Sequence, residues 1–389
     1  MHSILLAFAL FAPLSPTIIS KQLVMISFSL LFLRRFNYIT LTSNLRFKII
    51  STAFFSFSIF SSFFGDKSQI IRFIPIFYLI WFFPYLDNYS LKASFLKRIS
   101  LAIMLLMIIS QFLLAFEEPF TLAFRETFYP FNNIWTNNAV FSKLNYDSLT
   151  VFRGFRLGGL WYNPNLFASN LFLVYIAFYS TTKYLLKISN DINKIKINRD
   201  FLIVTAFVFI SLLSSGSRTF IVSHILLILI SKRKYILKIA FFKSSLLSSI
   251  ILYGLIGFIF SYGFVYSLIR AFSDGGSVDF KLSVLNKYFL NSPDFMTILT
   301  GSGNINFTYD FEYSYWFVLG GLCSLIGLFI FYTRISKFKS SYFIYITLPL
   351  ILAGLGTSIL FGLMSGSLLI PVLIIVYNFE VRENLLIKK

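Results

Sequence analysis

The chain alternates long apolar runs with short segments that carry most of its charge, and this alternation restricts its fold more than any other feature. Hydrophobic residues make up 57% of the 389 residues and charged residues only 13%, which is more apolar surface than one globular core can bury. Within lipid hydrocarbon every backbone N–H and C=O must be paired inside the protein, so only helices and closed barrels cross it. Runs of near-spanning length therefore predict an all-α, polytopic membrane protein.

About twelve apolar runs can be placed as transmembrane helices, and together they make residues 1–389 a single integral membrane domain. Several are shorter than the ~20 residues that an untilted helix needs to cross the hydrocarbon. The runs lie near residues 3–19, 22–33, 49–64, 70–86, 99–116, 164–182, 201–214, 219–231, 240–263, 313–332, 342–356 and 358–377.

The distribution of basic residues predicts the orientation of these helices. With the N-terminus in the cytoplasm, 23 of the 34 Lys and Arg residues fall in cytoplasmic segments, as the positive-inside rule requires. The C-terminus is then also cytoplasmic, and segments 117–163 and 264–312 become large extracytoplasmic loops. The net charge of +19 is thus a topology signal, and no nucleic-acid partner is expected.

The first loop leads into a predicted helix through a polar stretch that contains Arg153, Arg156 and Asn163-Pro164-Asn165. An Asn N-cap followed by a first-turn proline explains the helix start in purely structural terms. The same helix start presents free N–H groups and a partial positive charge that suit phosphate or sugar oxygens. On this second interpretation, the arginines and asparagines form a diphosphate clamp.

Two more basic residues fall on the same predicted side. Ser217 and Arg218 lie in a tight connection between two apolar runs, and Arg270 follows the long run 240–263. Each arginine is either a further phosphate ligand or an interfacial anchor that reaches the lipid headgroups.

Two carboxylates and one histidine are the candidates for proton transfer. Asp310 and Glu312 precede an apolar run, where a carboxylate either complements the helix dipole or, partly desolvated, accepts a hydroxyl proton. His224 lies inside an apolar run and either forms a helix-helix hydrogen bond or takes part in catalysis. No phosphate-binding loop, Asp-x-Asp pair or His/Cys cluster is present, so neither a metal nor another cofactor is expected.

Taken in order, these motifs resemble the O-antigen polymerase and ligase superfamily of bacterial envelope glycosyltransferases. The resemblance covers the C-terminal two thirds of the chain, and the first 115 residues match only as generic membrane helices. It is carried by Arg153-x-x-Arg156-x-Gly158, Asn163-Pro164-Asn165-x-x-Ala168, Ser217-Arg218, and Gly301-x-Gly303 before the helix entry at 310–321. It implies a fold akin to type C glycosyltransferases in the bacterial inner membrane, with both loops in the periplasm.

The resemblance implies that undecaprenyl-diphosphate-linked oligosaccharide is the substrate and that no nucleotide sugar or metal is needed. Ligases of the superfamily resemble one another in a histidine near the entry of the helix after the second loop. This chain has Tyr309-Asp310-Phe311-Glu312 there, which favours the polymerase, or Wzy-type, branch. A ligase that transfers polymer to lipid A core and a non-enzymatic flippase are the alternatives.

The expected partners are the lipid-linked glycan, membrane lipid and a chain-length regulator protein. The residues expected to carry catalysis are Glu312, Asp310 and Arg218. Those expected to bind the lipid diphosphate and glycan are Arg153, Arg156, Asn163, Asn165, Ser217 and Arg270.

The topology is testable by cysteine accessibility. A cysteine at Asn138, in the first loop, should react with a membrane-impermeant maleimide from the periplasmic side, and one at Asn193 only from the cytoplasmic side. Labelling of both positions from the same side would contradict the topology and the mechanism that depends on it.

Overall fold

The architecture was analysed in a computed structural model. It describes residues 2–14, 45–65, 67, 70, 73–81, 91–113, 164–239, 293–302, 312–336, 349–354 and 363–387. Over these residues the chain consists of helices and short connections, with no strand. The predicted all-α class is confirmed for this part of the chain.

The helices are numbered here in chain order. They are α1 (His2–Phe11), α2 (Leu45–Phe64), α3 (Ile74–Trp81), α4 (Ala93–Leu113), α5 (Pro164–Ile188), α6 (Asp191–Ser215), α7 (Arg218–Ile239), α8 (Phe295–Thr300), α9 (Glu312–Ser336), a helical segment α10 over 349–354, and α11 (Leu363–Ile387).

Five of these helices, α2, α4, α5, α6 and α9, contain stretches long and apolar enough to cross a membrane. Of the twelve predicted spans, those at 22–33 and 240–263 lie outside the described residues, as does the loop 117–163. Of the second loop, the structure describes only residues 293–302 and the backbone of Glu312.

Contacts near the two ends of α5 show how the helices around it are oriented. At one end the Arg382 guanidinium donates to the Leu91 carbonyl (2.8 Å), and the rings of Tyr184 and Phe379 lie 5.0 Å apart, so the C-terminal parts of α5 and α11 meet near the start of α4. At the other end Gln111 of α4 donates to the carbonyl of Ser211 in α6 (3.0 Å). The Lys97 ammonium of α4 and the Asp200 carboxylate of α6 lie 3.9 Å apart nearer the helix starts, so α4 and α6 run parallel to each other.

A second group pairs α2 with α9, and α9 is broken where it packs. Gly320 and Gly321 have non-helical backbone angles, and Gly321 has a positive φ of 61°. The hydroxyl of Ser58 meets that of Ser324 at this level, and a side chain on Gly320 would overlap both. The break is thus filled by protein, as non-helical backbone at membrane depth requires.

The loop that fills the break comes from residues 299–302. Gly301 has φ 83°, and a Cβ there would overlap the Leu319 carbonyl, while a Cβ on Gly321 would overlap the backbone of Leu299. These two backbones can cross only because both positions are glycine.

We expect Gly301→Ala to destabilise the protein markedly. The backbone angles of Gly301 (φ 83°, ψ 166°) lie in a region that is essentially restricted to glycine and costs a side-chain residue about 1–3 kcal/mol, and overpacking adds about 1–3 kcal/mol. The matched control is Gly327→Ala on α9, where the nearest atoms to a Cβ would belong to the side chains of Phe54, at 3.0 Å, and Phe55. Thermal unfolding in detergent should show a much larger fall in Tm for Gly301→Ala, and equal falls would contradict the backbone crossing.

Candidate functional site

The connection between α6 and α7 is a two-residue turn that sets the position of Arg218. Gly216 adopts the left-handed conformation (φ 62°) and its N–H caps the Leu213 carbonyl. Ser217 is buried, and its N–H donates to the Ser215 hydroxyl (3.3 Å). Helix α7 then begins at Arg218, which is partly exposed. The tight connection predicted from the sequence is confirmed, and Arg218 occupies a helix N-terminus.

Helices α5 and α7 are parallel neighbours, so their N-termini lie at the same end. The rings of Phe172 and Phe220 are 5.7 Å apart, and those of Tyr175 and His224 are 4.6 Å apart. Phe172 lies eight residues into α5, whereas Phe220 lies two residues into α7. At 1.5 Å per residue, α5 starts about 9 Å before the level of Arg218.

This offset places Arg218 beside the second turn of α5 rather than beside its tip. Helix α5 begins at Pro164, as the Asn163-Pro164 pair predicts. Its first two turns carry the partly exposed Asn165 and the buried Ser169 and Asn170. The end of this helix group thus has a step, because the N-terminus of α5 lies about 9 Å beyond the level of Arg218.

Further along the helices from this stepped end, buried polar side chains form hydrogen bonds between neighbouring helices. Gln111 of α4 and Ser211 of α6 exchange hydrogen bonds, and the Tyr175 hydroxyl lies 3.0 Å from that of Thr205. His224 is fully buried and contacts the rings of Tyr175 (4.6 Å) and Phe209 (6.1 Å). Aromatic packing thus connects His224 to both neighbouring helices.

The start of α9 is tied to α7 through the segment α10. The Ser223 hydroxyl of α7 donates to the Pro349 carbonyl (2.9 Å), and the Tyr313 hydroxyl of α9 donates to the Ile351 carbonyl (2.7 Å). These carbonyls are two residues apart, at most about 7 Å along the chain. The backbone of Glu312, next to Tyr313, is therefore held near the N-terminal half of α7.

The sequence interpretation did not identify these tethers. Ser223 and Tyr313 lie in apolar runs where a hydroxyl carries no motif, and their acceptors are backbone carbonyls that have no sequence signature. Gln111 offered a weak signal, since it is a lone amide in the apolar run 99–116, and a buried amide needs a partner.

The structure describes some of the predicted site residues and leaves others outside. Asn165, Ser217 and Arg218 lie on α5, on the connecting turn and on α7, at the same end of the helix group, and the Glu312 backbone begins α9. The predictions for Arg153, Arg156, Asn163, Arg270 and Asp310 fall on residues outside the described ranges. Within those ranges no three His, Cys, Asp or Glu side chains form a metal-binding group.

Comparisons with protein-family models, with curated proteins and with solved structures found no match to this chain. Its function must therefore be argued from the site itself.

The stepped end is suited to an anion with several oxygens. Each helix N-terminus leaves up to four N–H groups without helical partners and carries about half a positive charge. Arg218 adds a planar guanidinium that can bind two phosphate oxygens at once. Two N-termini that differ in level by about 9 Å can contact different parts of one extended anion.

Proposed function

We propose that the protein polymerises undecaprenyl-diphosphate-linked O-antigen repeat units by glycosyl transfer at the periplasmic face of the bacterial inner membrane. The observation that carries this proposal is the convergence of the N-termini of α5 and α7 around Arg218, with the start of α9 tethered to α7. This convergence brings together three of the motifs on which the family resemblance depends: the helix start at Pro164, Ser217-Arg218 and the start of α9. These motifs are far apart in sequence. In this proposal the chain has twelve spans and both termini in the cytoplasm.

Arg218 and the N-termini of α5 and α7 would stabilise the leaving group. Attack by an acceptor hydroxyl on the anomeric carbon of the donor forms the new glycosidic bond and breaks the bond to the lipid diphosphate. Negative charge develops on the departing phosphate oxygen, where Arg218 and the helix N–H groups can neutralise it. Arg153, Arg156 and Arg270 are proposed to complete the set, and each charge-assisted hydrogen bond contributes about 1.5–3 kcal/mol.

A carboxylate at the start of α9 would take the proton from the acceptor hydroxyl. Glu312 is the first candidate because its backbone is held near α7 by the Tyr313 tether, and Asp310 is the second. The proton moves to the carboxylate as the oxygen–carbon bond forms, so charge balances without a metal ion.

The two alternatives make different products. A ligase would transfer the glycan only to lipid A core, and a flippase would move the lipid-linked unit across the bilayer with no new glycosidic bond. Purified protein in liposomes, supplied with lipid-linked repeat units, should give products longer by whole repeats if it is a polymerase. Unchanged units would contradict the polymerase assignment.

Replacing Arg218 by lysine should slow elongation by roughly 10- to 150-fold, the equivalent of one charge-assisted hydrogen bond. Lysine keeps the charge but loses the planar fork. The matched control is Arg199→Lys, because the Arg199 side chain is 70% exposed and lies 3.8 Å from the Asp200 carboxylate. Normal elongation by Arg218→Lys at matched expression would make Arg218 an interfacial anchor.

Glu312→Gln should leave membrane insertion and lipid binding intact but slow repeat addition by ~10²–10⁴, the usual contribution of a general base. A helix-dipole role predicts instead a stability loss of roughly 0.3–1 kcal/mol with near-normal elongation. Asp310→Asn is measured beside it, and normal rates in both variants would rule out a carboxylate base at either position.

A further inference from the structure

Helix α8, within the second predicted loop, packs against two spanning helices. Its last residue, Thr300, accepts a hydrogen bond through its carbonyl from the Ser61 hydroxyl of α2 (2.6 Å). Ser302 donates from its N–H to the Val318 carbonyl of α9 (2.9 Å). The segment 294–302 therefore lies between the flanks of α2 and α9.

The contact points show how far this segment reaches along the spanning helices. The apolar stretch of α9 covers Tyr313–Thr333, and Val318 and Gly321 lie five and eight residues into it. At 1.5 Å per residue these contacts are about 7.5 and 12 Å below its start. On α2, Ser61 lies three residues, or about 4.5 Å, before the end of the span at Phe64. On both helices the segment therefore contacts residues within the apolar stretch rather than at its end.

The N–H groups of the segment are paired inside the protein from Thr297 onward. The Asp294 carboxylate accepts from the Thr297 N–H (2.8 Å) and the Asp294 carbonyl from the Ile298 N–H (3.1 Å). The Gly301 N–H returns to the Thr297 carbonyl (2.8 Å).

The hydroxyls are paired as well. Those of Thr300 and Ser302 donate to the carbonyls of Met296 and Val318. Pairing of this kind is what hydrocarbon imposes on backbone and hydroxyl groups.

Within α8 the exposed side chains are apolar. Phe295 is 71% exposed and Met296 is 61% exposed, values close to the 69% of Phe329 in the second half of the α9 span. No residue of α8 is buried, so its contacts come from its C-terminal end and the loop that follows. The exposed rim of α8 thus matches the composition of a lipid-facing helix surface.

We propose that residues 294–302 form a re-entrant segment that dips into the bilayer, with Phe295 and Met296 in contact with lipid acyl chains. The crossing of Gly301 with Leu319 and Gly320, and of Gly321 with Leu299, holds the segment at its deepest point. This placement does not depend on the glycosyl-transfer proposal, and it moves part of the predicted extracytoplasmic loop 264–312 out of water.

Asp294 marks the end of the segment that remains in water. Hydrogen bonds from the Thr297 side chain and backbone lower the pKa of its carboxyl group, so this residue stays charged at neutral pH. A charged N-cap followed by an apolar helix has the polarity expected of a segment that enters from the headgroup region.

Spin-label accessibility in proteoliposomes tests the proposal. The only cysteine, Cys323, is replaced by serine, and single nitroxides are placed at Phe295, Met296, Phe329 and Asn190. Phe329 is the lipid reference, and Asn190, an exposed residue between α5 and α6, is the water reference. Labels at 295 and 296 should collide with oxygen more than with a water-soluble nickel chelate, as at 329. A collision ratio like that of Asn190 at both positions would overturn the proposal.

A second comparison tests what holds the segment in place. In Gly321→Ala the new methyl group would overlap the Leu299 backbone, so the label at 296 should shift toward the nickel chelate. The label at 329 should not change, which separates release of the segment from unfolding of α9. Gly327→Ala is the matched control and should leave both labels as they were. An unchanged label at 296 in Gly321→Ala would show that the glycine crossing does not hold the segment.

Discussion

The arrangement depends on one constraint: a backbone N–H or C=O that leaves water must find a partner inside the protein, or it costs several kcal/mol. Helices satisfy this requirement everywhere except at their ends and at breaks. In α9 the break at Gly320 and Gly321 interrupts the helical backbone hydrogen bonds. The nearby Val318 carbonyl accepts hydrogen bonds from both the N–H and the hydroxyl of Ser302. A loop distant in sequence thus supplies partners at the break. The two glycines, together with Gly301, let the backbones come close enough for this.

The same constraint explains why the chemistry is expected at helix ends. Free N–H groups exist only in the first turn of each helix, so a membrane protein that binds an anion without many charged side chains can use those turns. Here α5 and α7 bring two such turns to one end, about 9 Å apart in level, and Arg218 lies at the lower one. The Ser223 and Tyr313 tethers to α10 hold the start of α9 near the same place. A short turn at Gly216 and two hydroxyl-to-carbonyl bonds contribute to this arrangement.

Residues close to a helix terminus in sequence predicted where some helices start. The other features of the fold depend on contacts between residues far apart in the chain. The Asn163-Pro164 pair gave the start of α5, and the glycine at 216 marked a tight connection, because both act within a few residues. Hydropathy predicted the ends of helices less accurately. Helix α6 begins at Asp191, ten residues before its apolar run at 201, because lysine-rich turns remain helical while their charged groups reach water. The break in α9 could not be predicted, because two glycines in an apolar run also suit close helix packing. Only the contact with residues 299–302 distinguishes the two.

The buried polar groups help to distinguish a transport pathway that opens at this end from a binding site confined to the helix ends. A transporter of anionic lipid would need polar or charged groups that continue inward from Arg218 and are available to the substrate. Below the step, Gln111 is engaged by Ser211 and Tyr175 by Thr205, while His224 packs against the rings of Tyr175 and Phe209. Lys48, also fully buried, lies over the ring of Trp81 near the start of α2. Gln111 and Tyr175 are thus engaged in hydrogen bonds between helices and are not left for a cargo, and this favours the proposed binding of an anion at the helix ends over a transport pathway through the interior.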